Sequence, residues 1–345
     1  MRTLLNAIAL ALILAPAAHA AGSKTVKDWT AVCDNLRTCA AFGFSGEGGE
    51  ADAYVKIART GAPTAQPRVS IVYVTGDKAP AATWTLQIGG RPIAGVGAVA
   101  AVGQESGARA DLSPVAGAAL IEALRNGDEL EIYQAGKELT GVSLSGSAAI
   151  LIWVDDQQGR VGTVTALARR GAQPASAVPA PPAPPVIVAA PPVSQAGLAK
   201  VAPASLTQSA DDCNDGRADD GFDPLIARLA PGVVLWGPPC GSGAYNEVNI
   251  FFIADERDGN ARRITFPEPP GSGQARDDIL MNVSFDAKTQ TLSSFSKGRG
   301  LGDCGSDEKW VWDGKAFQLL SDRVMDQCHG VLSDDWPSLF VARRR

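Results

Sequence analysis

The chain has 345 residues, 45% of them hydrophobic, and a net charge of −6 at neutral pH. That length is enough for two cores, and the mild acidity excludes nucleic acid or an anionic lipid surface as the main partner. Two histidines and six cysteines leave little material for imidazole or thiolate chemistry.

In chain order, Arg2 precedes an apolar run from Leu4 to Pro16 and then Ala18-His19-Ala20. This reads as a signal peptide over residues 1–20 with a small-x-small cleavage site. The run is shorter than the ~20 residues that span a bilayer, and no later stretch exceeds it without a charge or a proline cluster, so no transmembrane segment is expected in the mature chain. Cleavage takes the net charge from −6 to about −7 and places all six cysteines in an oxidising compartment, which favours three disulfides among about fifteen possible pairings. The expected location is periplasmic or secreted.

Residues 21–171 read as one domain. Trp29, Ala31 and Cys33 alternate, a polar turn follows at Asp34–Thr38, and Cys39, Ala41 and Phe42 return, which describes a hairpin clasped by Cys33 and Cys39. Further strands are predicted at Tyr54–Arg59, Arg68–Val74, Thr83–Ile88, Ala98–Val102 and Glu129–Tyr133, separated by Gly- and Pro-bearing turns. Ser113 followed by Pro114 starts a helix that Gly127 stops, with Leu120, Ile121 and Leu124 on one stripe. A second helix is expected from Ser147 to Gln157, although Ile150–Val154 alone reads equally well as a buried strand.

From Ala172 to Ser205 alanine, proline and valine dominate and Lys200 is the only charge. The segment reads as a semi-extended spacer that makes two domains, so proteolysis near Lys200 is expected to leave two stable pieces. Residues 206–345 form the second domain. It opens with a helix from Asp223-Pro224 to Leu229 and continues with strands at Val233–Trp236, Val248–Ala254, Arg262–Phe266, Leu280–Phe285 and Leu292–Ser296. It closes on a hairpin whose turn is Asp313-Gly314, with Trp310, Trp312, Phe317 and Leu319 on one face. Cys304 and Cys328 flank that hairpin and are expected to pair, leaving Cys213 to Cys240.

The Trp29, Cys33 and Cys39 pattern, the segment SLSGSAAILIWVDDQQGRVGTVTAL from Ser143 to Leu167, and the C-terminal KGRGLGDCG, WVWDG and CHG segments resemble the exported bacterial family known as domain of unknown function 1176. The N-terminal part is also similar to the invasion-associated locus B proteins, in which a Ser-Leu-x-Gly segment opens a helix. This resemblance favours the helical reading from Ser147 and implies no catalytic residues.

The remaining constellations are each weaker than a structural explanation. His329 follows Cys328 and lies near Asp326, but an oxidised cysteine cannot serve as a thiolate, so His329 reads as a turn residue. Asp211, Asp212, Asp215, Asp219, Asp220 and Asp223 suggest calcium, yet Cys213 and Phe222 stand where the EF-hand pattern needs carboxylates. Lys297, Gly298, Arg299, Gly300 and Gly302 resemble a phosphate cradle without the Gly-Lys-Ser/Thr ending. Trp310, Trp312 and Trp336 would suit sugar stacking or a core, Asp303 and Asp307 are the carboxylates whose replacement by Asn, with His329→Ala, would test for catalysis, and Arg343–Arg345 form a solubilising tail.

The fold expected is α+β and mainly β: an N-terminal sandwich-like domain with two helices, and a C-terminal antiparallel meander with one short helix. No catalytic, cofactor-binding or metal-binding set is complete, and the six cysteines are the structural residues. The expected function is non-catalytic binding of a protein or cell-envelope partner. The alternative is a carboxylate-dependent hydrolase acting on an envelope substrate, which two carboxylates facing each other in a pocket would favour.

Overall fold

A computed structural model describes residues 21–45, 53–211, 222–257, 259–270 and 278–345. Residues 1–20, read from sequence as a signal peptide, together with Cys213 and the acidic residues Asp212, Asp215, Asp219 and Asp220, lie outside the described residues. The fold is mainly β, with helices at Pro114–Ala123, Ser147–Gln157 and Ala204–Asp211.

The N-terminal half is a single curled antiparallel sheet of 11 strands, not two layers of a sandwich. Its path starts at Gly22–Val26, passes through Trp29–Cys33, Cys39–Phe44, Ala53–Arg59 and Arg68–Val74, and turns back through Gly107–Asp111 and Ala98–Gln104. It ends at Ala82–Ile88, Glu129–Gln134 and Lys137–Ser143, and the eleventh strand, Arg91–Pro92, pairs with Ala82–Ile88 off this path. The inner face carries the core, where Trp29, Trp84, Leu86, Ile71, Leu130 and Ile132 meet the two helices. Gly43 is required there, because a Cβ would sit 2.3 Å from the Trp29 ring. Ser113 caps the first helix by accepting from the Ala116 amide, and Asp155 on the second accepts from the Leu167 and Ala168 amides and from Arg59.

Cys33 pairs with Cys39, and Cys304 with Cys328. Cys240 is also disulfide-bonded.

The expected helix from Asp223 to Leu229 is instead a strand, Leu225–Ala230, paired with Val233–Gly237. Ala227 and Leu229 are buried while Ile226 and Arg228 are only partly so, a period of two that six residues can satisfy and a helix of that length cannot.

In the strand Cys39–Phe44 every residue is buried, which a sheet with one wet face does not allow. The second face is covered by the C-terminal half. Phe42, Phe44, Tyr54 and Val72 share one apolar cluster with Cys304, Met325, Val331 and Trp336. Beside it Asp335 accepts from Tyr54 Oη at 2.6 Å, Lys56 Nζ at 2.8 Å and Arg109 Nη1 at 2.8 Å. Asn35 and the Val341 backbone exchange two further bonds. Burial alone would raise the Asp335 pKa, but Lys56, Tyr54 and Arg109 outweigh it, and the net shift is downward.

The Ala/Pro-rich segment is likewise laid onto the protein. Val186–Ile187 pairs in parallel with Arg343–Arg344, Ala190 donates to the Trp312 carbonyl, and Gln195 bonds the Arg228 backbone in both directions. The arginines of the tail therefore carry a strand. The two halves have separate sheets and a common interface.

A cut at exposed Lys200 is thus expected to leave fragments that co-elute at neutral pH in gel filtration. Asp335→Ala is expected to cost about 2 kcal/mol, because it strands two half-buried cationic partners and the buried Tyr54 hydroxyl. The Asp335 contribution is present above the ordinary value of 3.8 and is lost as pH falls through its lowered folded value. Two monomeric fragments eluting apart at pH 7 would contradict a shared interface.

Candidate functional site

The C-terminal five-stranded sheet runs Ser284–Asp286, Thr291–Lys297, Gly305–Trp312, Phe317–Met325 and Ser338–Val341. Along its middle strands the side chains alternate, so Leu292, Trp310, Trp312, Phe317 and Leu319 point to one face and fill the core with Phe266 and Phe340. Toward the other end of the strands the same face turns polar. Ser294, Ser296, Ser306, Glu308 and Asp322 take the inward positions and line a cavity of about 370 Å³.

A β-bulge creates the central pair. Trp310 faces Leu319, but the register then shifts and Glu308 faces Asp322. Without that extra residue Glu308 would meet Ser321. On the reverse face the neighbouring pair is complementary, with Arg323 Nη1 3.0 Å from Asp307 Oδ2. Opposed like charges on adjacent strands are destabilising, so the two faces of one ladder obey opposite rules.

Glu268 adds a third acid from across the cavity. The Trp310 indole N–H donates to the Pro267 carbonyl at 2.9 Å, which fixes the chain next to Glu268. Carboxylate oxygens of Glu268, Glu308 and Asp322 all lie within 4.8 Å of one another; Glu268 and Glu308 also make other interactions. Asp322 is 5% exposed and its Oδ1 has no hydrogen-bond partner. Burial first, then Glu268, Asp326 and Asp307, push its carboxyl up to about 7.

The residues singled out from sequence lie elsewhere or are engaged. Asp303 accepts from Arg299 at 2.8 and 2.6 Å and from the Gly330 amide. Gly298 leaves room for the disulfide, since a Cβ would lie 2.8 Å from Cys304 Sγ, so the glycine loop serves the cystine. His329 stacks on Phe44 with ring centroids 4.5 Å apart, and its pKa is lowered, by burial first and then by Arg299. Trp310, Trp312 and Trp336 are all buried and offer no stacking surface. Of the acidic run, Asp211 ends the helix Ala204–Asp211 and Asp223 precedes the first strand of this half.

Sequence reasoning missed Glu268, Glu308 and Asp322. The signal for Glu308 was available: two residues before Trp310, it continues the inward alternation as an acid. Asp322 was hidden by the bulge, and Glu268 by the lack of any regular element around it.

In metal-free protein at pH 8, Asp322→Asn is expected to stabilise the fold by about 1 kcal/mol in urea denaturation, because an amide relieves the opposed charge. A loss of stability would show that Asp322 is a structural acid.

The model of the family described as "Protein of unknown function (DUF1176)" matches residues 23–343. The chain is also 32% identical over 235 residues to the uncharacterized protein YpfG of Escherichia coli (strain K12), a match covering 62% of this chain and 65% of YpfG, just under two thirds of that relative's length. No solved structure matches the chain. The chain belongs to the DUF1176 family.

Proposed function

We propose that this DUF1176 member is an exported envelope protein that works by binding, and that the acidic cavity of its C-terminal sheet takes up a positive charge through which it engages its protein or cell-envelope partner. One observation carries the reading: Glu308 and Asp322 are held face to face on adjacent strands at the wall of an open cavity. A fold keeps such a pair at a cost when a ligand's positive charge repays it.

Export is supported by the leader-like residues 1–20 and by the disulfides. Among the described residues no helix is long and apolar enough to cross a membrane. A likeness of the N-terminal half to the invasion-associated locus B proteins is supported by Trp29, the Cys33–Cys39 clasp and the helix that opens after Ser143-Leu144, and it agrees with an envelope role.

The hydrolase reading is favoured by the same pair, since a protonated acid near an ionised one is what acid–base cleavage uses. Binding is preferred because, among the described residues, no aromatic side chain lines the cavity to hold a sugar ring.

The test compares wild type with the double variant Glu308→Gln/Asp322→Asn. Both are immobilised, challenged with solubilised envelope, and assayed on glycoside, ester, amide and phosphoester substrates. Retention of a component by wild type alone, with no turnover, is expected. Turnover that the double variant abolishes would replace binding by hydrolysis, and equal retention by both proteins would remove the cavity from the function.

A further inference from the structure

We propose that Glu268, Glu308 and Asp322 together bind one hard divalent cation, of the calcium class, at the polar end of the inward sheet face. The proposal deepens the reading of this cavity as the functional site and rests on it.

Geometry is the first support. Two ligand atoms on opposite sides of an ion with bonds near 2.4 Å are about 4.8 Å apart, and one oxygen from each of the three carboxylates falls within that separation. The three come from different parts of the chain, two from opposed strands and one from the segment pinned by Trp310. Sequence proximity therefore does not account for their convergence.

Independent support comes from Asp322. Its Oδ1 is buried and lacks any hydrogen-bond partner, while the residue lines the cavity and is 5% exposed. Buried carboxylate oxygens are ordinarily satisfied, so an orphan on a residue that lines the cavity and clusters with two other acids points to a group that the described residues do not supply to Asp322.

Donor chemistry selects the cation. Among the described residues the lining offers carboxylates and the hydroxyls of Ser294, Ser296 and Ser306, oxygen donors that suit calcium or magnesium, beside the thioethers of Met281 and Met325. The two cysteines in the wall are joined to each other, and among the described residues no histidine lines the cavity, so zinc lacks its thiolate and imidazole ligands. Calcium is preferred over magnesium because flexible coordination at longer bonds tolerates ligands spaced this widely. The cavity is larger than one ion, which leaves coordination positions for water or for an oxygen of the partner.

The experiment is calorimetric titration of calcium chloride into the full chain after chelator treatment. Glu308→Gln, Asp322→Asn and the exposed control Glu105→Gln are titrated alongside. Binding with a dissociation constant of about 0.1–1 mM is expected, typical of extracellular calcium modules, with at least a tenfold loss in both cavity variants and none in the control. Terbium provides a readout on wild type alone, because Trp310 stands two residues from Glu308 on the same face; tryptophan-sensitised terbium emission should be competed away by calcium and more weakly by magnesium. No binding of calcium up to 10-fold above that range, or unchanged affinity in both cavity variants, overturns the proposal. Failure here with the envelope component still retained only by wild type would leave the binding reading standing. Calcium binding with retention independent of the cavity would remove that reading instead.

Discussion

Asp335 gathers three donors from the other half of the chain, and the surface it closes is also the back of the sheet that carries the cavity. Cys304 and Met325 belong both to the buried cluster at that junction and to the cavity wall. The terminal hairpin is therefore gripped at its open end by a disulfide, by the N-terminal sheet and by a paired carboxylate. A cavity built on such a base holds its side chains without needing contacts between them, which is the condition for keeping two acids opposed.

The two carboxylate sites of this half illustrate how partners decide cost. Asp335 is buried among cations and a phenol, and its charge is favoured. Asp322 is buried among acids and its charge is disfavoured. The same side chain stabilises in one place and destabilises in the other, and only the second leaves interaction capacity unused for a ligand.

Much of the fold was legible because the inward faces obey period two and the turns carry glycine. The strand Arg68–Val74 and the helices after Ser113 and from Ser147 follow local rules that sequence expresses directly. The Leu225–Ala230 strand did not, because a short apolar stretch after Asp-Pro carries the start signal of a helix and only its pairing with Val233–Gly237 decides otherwise. Composition does not express where the segment 172–205 lies on the protein. Proline and alanine cannot form a core of their own, but they can lie along one, and Val186–Ile187 finds its partner at Arg343–Arg344, far along the chain. The cavity was hidden for a related reason: its pairing depends on one bulge, and a bulge is a tertiary decision that leaves Glu308 and Asp322 looking like surface acids.

The account stands on the claim that Glu308 and Asp322 repel each other across the ladder, held there by the rest of the fold. A double-mutant cycle of Glu308→Gln and Asp322→Asn, measured by chemical denaturation of chelator-treated protein at pH 8, isolates that term. The account predicts a repulsive coupling of about 1 kcal/mol, with each single change relieving most of what the pair change relieves. A coupling of zero, or an attractive one, would mean that the two acids do not face each other across the strands, and the site would lose its basis.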